Sequence, residues 1–236
     1  MASRRRSGLA IVAVLLVVGG LVAAGLYAVD RWAQGRFERQ LAENLRTSLG
    51  TPNDPEVSVE GFPFLTQAVT RNIHSVHVVA DDLGAGGATA LPIAHVDFVA
   101  TDVTTTDWFR TMTASHIEGV GLLDYAALEK VAKLPLSYAG DGRIQTQTST
   151  KVFGADVVAH ITGVPRLERS EQTLTFADPT ITVGGVNLPD FTAKALLRAV
   201  LTPIPLSGLP LGLRVSSVAA EEGGVRVGVT ADDVPL

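Results

Sequence analysis

The sequence predicts an α+β fold, one membrane-crossing helix followed by a mainly antiparallel β domain with a few covering helices. Three observations carry this. An uncharged run of 21 residues, Leu9 to Val29, follows three consecutive arginines, Arg4 to Arg6. Beyond it, apolar and polar residues alternate in many short stretches, the period of strands with one wet face. Short polar turns separate those stretches, and only a few segments carry helical spacing, a combination that packs as antiparallel sheet.

At the helical rise, Leu9–Val29 spans roughly 31 Å, about one bilayer hydrocarbon core. The next charge after the arginines is Asp30. The basic start then stays in the cytoplasm. Residues 1–29 form the start and anchor, and residues 30–236 form one exported domain on the extracytoplasmic side of the cell membrane, in the periplasm or cell envelope. A cleaved signal peptide shares the basic start, but its apolar stretch is usually about 7–15 residues. Cleavage after Ala28 would also put bulky Leu26 where a small residue is wanted. A twin-arginine signal is disfavoured because Ser7 and Gly8 stand where large apolar residues belong. The expectation is a retained single-pass anchor, and either outcome exports the rest.

The exported 207 residues hold no cysteine, so packing alone must stabilise them, and thiolate metal sites or a cysteine nucleophile are excluded. They carry sixteen basic against twenty-four acidic residues, a net charge of −8. That balance disfavours nucleic acid and simple adhesion to anionic headgroups. Lipid, if handled, must be held by apolar burial.

Arg31–Leu49 reads as a helix, with Phe37, Leu41, Leu45 and Leu49 on one face and Gly50 and Pro52 ending it. Strands follow around Val57 and Val59, Val76 and Val78, and Ala94, Val96 and Phe98. Further runs are Leu174 with Phe176, Ile181 with Val183, Leu213 with Val215, and Val225, Val227 and Val229. Glu221-Glu222-Gly223-Gly224 marks a hairpin turn between the last two. Asp124 is a candidate N-cap for a helix to Lys133, and Asp190 for a second with body Phe191–Leu201, closed by Pro203. The proline-rich stretch from Pro203 to Leu213 reads as an extended, half-buried crossing. The acid pairs Asp81-Asp82 and Asp232-Asp233 read as solvated strand ends.

Chemical motifs are scarce. His74 and His77 lie three apart, which on a strand sends them to opposite faces, and no carboxylate stands at ligand spacing beside them. There is no G-x-S-x-G elbow, phosphate-cradling loop or H-E-x-x-H helix. The expectation is therefore a protein without catalytic residues, metal or cofactor. The most unusual stretch is Gly61-Phe-Pro-Phe-Leu-Thr-Gln67, two aromatics about a proline directly after a strand. Proline restricts the backbone and sends Phe62 and Phe64 to defined sides. The rings could plug the end of a core or stand at the mouth of an apolar groove. The stripe Ala193, Leu196, Leu197, Val200 and Leu201 is broad, with Lys194 and Arg198 apart from it, as in a helix that covers such a groove. Arg143, Lys151, Arg166 and Arg169 are the loop-region bases that could meet a phosphate.

Taken together, the basic start with its single anchor and helix, Val57–Val78 with its G-F-P-F-L-T-Q core, Gly119–Val131, Val183–Pro189 and Leu209–Leu236 resemble the LmeA-like phospholipid-binding proteins of actinobacterial cell envelopes. Only the G-F-P-F-L-T-Q block is specific by itself. Thr70 and Arg71 stand where the resemblance would place a glycine-containing turn. The resemblance implies an elongated, β-barrel-like lipid-binding domain with a part in envelope lipid or lipoglycan upkeep. The residues expected to meet acyl chains are Phe62, Phe64, Leu65, Phe191, Leu196, Leu197, Val200 and Leu201. The partners expected are phospholipid and, through the N-terminal helix, the membrane. The competing readings are an envelope scaffold with a solid core, and an envelope hydrolase or transferase.

Overall fold

The structure, a computed structural model, describes residues 3–83, 93–106, 111–152, 155–183, 186–187 and 203–236. Its first element joins two expected ones. The apolar run and the helix after it are one continuous helix, α1, Ser3–Leu49. No glycine or proline interrupts the junction at Asp30, so nothing breaks the ladder between the two halves. From Val14 to Val29 the apolar side chains are exposed, whereas Leu41, Leu45 and Leu49 are buried and Phe37 is half-buried.

The strands form two antiparallel sheets. The first runs β1 (Glu56–Glu60), β2 (Asn72–Leu83), β3 (Ile93–Thr105), β4 (Met112–Leu123), with β12 (Gly224–Pro235) beside β4 and β11 (Arg214–Glu221) outermost. The second runs β10 (Ile204–Pro205), β8 (Thr173–Val183), β7 (Ala155–Glu168), β6 (Arg143–Val152), β5 (Leu136–Gly140), with the two-residue β9 (Val186–Asn187) also on β8. Among the described residues neither sheet closes on itself, so the barrel expected above is two open sheets here. They meet through β11 and β7. Gln172, in the β7–β8 turn, ties them further: its side chain accepts from Val215 N at 2.8 Å and donates to Val215 O at 3.1 Å. One amide thus serves the backbone of β11 as a neighbouring strand would.

The core lies on the inner face of the first sheet, against the second half of α1 and the crossing after Pro203. Ile73, Val76, Val78, Val96, Phe98, Ile117, Val225, Val227 and Val229 all face into it. The crossing holds Ile204, Leu206, Leu209 and Leu213 in the same core, with a 3-10 turn at Pro210–Gly212. Asp82, Asp102 and Asp233 do not end strands but stand within them at positive φ (54°, 49° and 52°). There the inward alternation slips by one residue, for example from Ala80 to Leu83 and from Ala231 to Val234. Aspartate tolerates the left-handed region better than most side chains, which suits it to these slips. A similar slip at Asp178, φ 46°, lets the two predicted runs at 174–176 and 181–183 join as the single strand β8.

The helix α3, Tyr125–Ala132, forms where expected, but Asp124 caps it only with its carbonyl, which accepts from the amides of Ala127 and Leu128. Leu128 is fully buried, Glu129 accepts from Leu136 N at 2.8 Å, and the Tyr125 hydroxyl donates to Glu221 O at 2.9 Å. These bonds fasten α3 to both sheets. The helix expected from Phe191 to Leu201 lies outside the described residues.

Candidate functional site

The G-F-P-F-L-T-Q stretch is not a simple bend. After β1, Gly61 turns the chain at φ 98°, and a Cβ there would stand 2.7 Å from Gln67 Nε2. The Phe62–Pro63 peptide is cis. A short helix then begins, α2, Phe64–Thr70, with Pro63 in extended conformation at its N-cap and no side chain of its own stretch capping it. The cap comes from α1. The Asp30 carboxylate, 3% exposed, accepts from Phe64 N at 3.0 Å and Leu65 N at 2.7 Å. These are charge-assisted bonds at the positive end of a helix, the favourable place for a buried carboxylate. Arg71 closes α2 in the left-handed conformation, φ 58°, at the place where a glycine was expected.

The two aromatics of the motif part company. Phe64 is 4% exposed and packs on Phe37, ring centroids 5.4 Å apart. Phe62 is 61% exposed, with its ring 5.8 Å from that of Tyr27 on α1, over which the Arg31 guanidinium lies at 5.6 Å. Leu65 stands at the surface, one turn before Val69, which is 77% exposed. Polar side chains lock the arrangement. Gln34 donates to Val59 O at 2.8 Å and to Glu38 at 2.9 Å, Glu38 accepts from Val59 N, and Gln67 reaches both Glu60 O and His74 N. The motif is a plug and an exposed apolar corner at once.

The second sheet carries a feature that hydrophobic alternation could not reveal. Thr146 on β6 is opposite Ile161 on β7, which is opposite Ile181 on β8, so the three share a face. All three are buried, as is Ala159, and among the described residues the Thr146 hydroxyl has no hydrogen-bond partner. Among the described residues, Ile161, Ile181 and Ala159 are not part of the continuous apolar core, and Thr146 stands in the same cross-strand row between them and Leu136, which is part of it. Inward threonines where a strand core would have valines are the one trace of this in the sequence, R-I-Q-T-Q-T-S-T.

The other candidate residues scatter. Arg143 donates to Asp178 O at 2.9 Å and to Thr180, so its guanidinium is engaged within the sheet. Arg166 and Arg169 are exposed. Phe191, Leu196, Leu197, Val200, Leu201 and the Lys151 side chain lie outside the described residues. Three histidines pair with aspartates on adjacent strands of the first sheet: His77 with Asp97, His95 with Asp81, and His116 with Asp232. Among the described residues no group of three or more His, Cys, Asp or Glu is placed to hold a metal ion.

A family model described as LmeA-like phospholipid-binding matches residues 28–230. The chain belongs to this family. No curated protein and no solved structure matches it. The match to the LmeA-like family opens at Ala28, where the exposed apolar half of α1 ends, and takes in both sheets. It therefore spans the aromatic corner and the Thr146 face alike. Family membership supports phospholipid binding as the activity, and the long exposed apolar helix ahead of the domain has the length and composition of a membrane anchor or signal sequence.

Proposed function

We propose that this protein is an exported, membrane-anchored phospholipid-binding protein that holds or shuttles lipid in the cell envelope, without catalysing a reaction on it. The observation that carries this reading is the family match over residues 28–230, directly after an apolar helix whose described side chains, from Val14 to Val29, are exposed. On this reading the two sheets and the helix expected over Phe191–Leu201 serve as an elongated, barrel-like container. Phe62 and Leu65 meet lipid at the anchor end, Phe64 holds them in place from within the core, and Phe191, Leu196, Leu197, Val200 and Leu201 wall the groove. The buried set Ala159, Ile161 and Ile181, divided from the main core among the described residues by Thr146, supports an inner surface on the second sheet. Each acyl methylene buried contributes about 0.8 kcal/mol, ample for an acidic domain that does not rely on headgroup charge. Much of this is offset on leaving a bilayer, which permits exchange.

The test is native mass spectrometry of the full chain after incubation with phospholipid vesicles, beside the Leu197→Trp variant. Lipid adducts on the parent, lost in the variant while the melting temperature holds, are the expected result. A parent that never carries lipid would favour a scaffold with a solid core.

A further inference from the structure

We infer that the exposed corner formed by Phe62, Leu65 and Val69 docks against the bilayer that holds α1, so that the domain rests on the membrane surface at this point. The inference rests on the anchor reading above, and goes beyond it by assigning a surface.

Continuity with the anchor comes first. Asp30 is the first charge after the apolar run, and Tyr27 lies three residues, about 4.5 Å, to its apolar side. The Phe62 ring lies 5.8 Å from that of Tyr27, so a residue of the domain packs beside the side chain of the last apolar turn of the helix. Tyr27 and Trp32, 52% and 67% exposed, bracket Asp30 as the aromatic belt of a membrane boundary does.

Composition comes second. Residues 61–70 carry no charge, in a domain otherwise rich in acids, and Glu60 and Arg71 stand at their two ends. Leu65 and Val69 are one helical turn apart on α2, the face away from buried Phe64 and Gln67. Large apolar side chains at such exposure, clustered on one corner, mark an interaction surface, and an amphipathic helix lying in the headgroup region is one that a bilayer accepts. Rigidity comes third. The Asp30 carboxylate bonds the first two amides of α2, so the position of this helix is set by the anchor helix itself. A corner so fastened cannot swing clear of the surface on which the anchor ends.

The chain has no cysteine, so single cysteines can be placed at will and carry an environment-sensitive fluorophore. The full chain is reconstituted into phosphatidylcholine vesicles containing nitroxide-labelled lipid, shallow or deep. Labels are placed at Leu65→Cys and Val69→Cys, with Leu16→Cys in the apolar run and Glu222→Cys at the opposite end of the first sheet as references. Docking predicts blue-shifted emission at Leu65 and Val69 that shallow nitroxides quench, loss at Leu16 with deep nitroxides, and neither effect at Glu222. Quenching at Leu16 with water-like emission at Leu65 and Val69 would overturn the docking and leave the anchor standing. No quenching at Leu16 would remove the anchor and the docking with it. A blue shift at Leu65 and Val69 that no bilayer nitroxide quenches would assign the corner to a bound lipid or a second copy, and also overturn the inference.

Discussion

The Asp30 carboxylate and the amide of Leu65 are joined by a 2.7 Å hydrogen bond across thirty-five residues of chain. It is one of two bonds by which the end of the apolar run starts a helix in the folded domain. Truncation in Asp30→Ala leaves two amides of α2 without their acceptor, that of Phe64 in a buried place and that of Leu65 in a half-buried one, and an unmet buried group costs about 1–3 kcal/mol. Hydrogen exchange should quicken first at Phe64 and Leu65, with a lower melting temperature. Unchanged protection at both amides would show that water or backbone replaces the carboxylate without loss.

Phe62 and Phe64 should separate in mutagenesis. Phe64 is buried against Phe37, so Phe64→Ala should cost about 3–5 kcal/mol of stability, read from denaturant unfolding. Phe62 is mostly exposed, so Phe62→Ala should leave the unfolding midpoint nearly in place and lower lipid uptake. The reverse order of effects would exchange their roles.

Burial chiefly, and then the proximity of Tyr138 and Glu221, push the Tyr125 hydroxyl up to about 12. Its folded value exceeds that of a free tyrosine, so the neutral form is favoured by folding. The stability it contributes is complete below about pH 10 and lost as the pH rises through about 12. Tyrosinate absorbance should show a late step that Tyr125→Phe removes. A titration identical in the variant would contradict the burial of this hydroxyl.

Thr146 is 4% exposed and its hydroxyl is unpartnered among the described residues. Thr146→Val replaces an unmet polar group by a methyl of similar size, and should raise stability by about 1 kcal/mol. A loss of stability would mean that the hydroxyl has a partner in solution, and lipid uptake by the same variant would show whether that partner is the ligand.

Hydrophobic alternation revealed those strands whose inward places hold branched aliphatics, as in Val76–Val78 and Val225–Val229. It missed β4 because Gly119 and Gly121 take two of its inward places. A Cβ on Gly119 would lie 2.4 Å from Phe98 Cβ, so the pattern has a gap where the packing is tightest. It missed β6 because threonines replace aliphatics inside. It missed α2 because a seven-residue helix has little periodicity and its cap stands in a different element. Of the site, the G-F-P-F-L-T-Q stretch was legible from its composition alone. The opposite fates of its two rings were not, since they depend on where Phe37 and Tyr27 lie in space.

The unbroken course of α1 has a mechanical consequence. With no joint between Val29 and Leu49, some 30 Å of helix acts as a shaft, its far end embedded among the strands. Any roll or pitch of that shaft in a bilayer turns the sheets by the same angle. On the anchored reading proposed above, the domain follows the tilt of its own anchor and does not reorient independently of it.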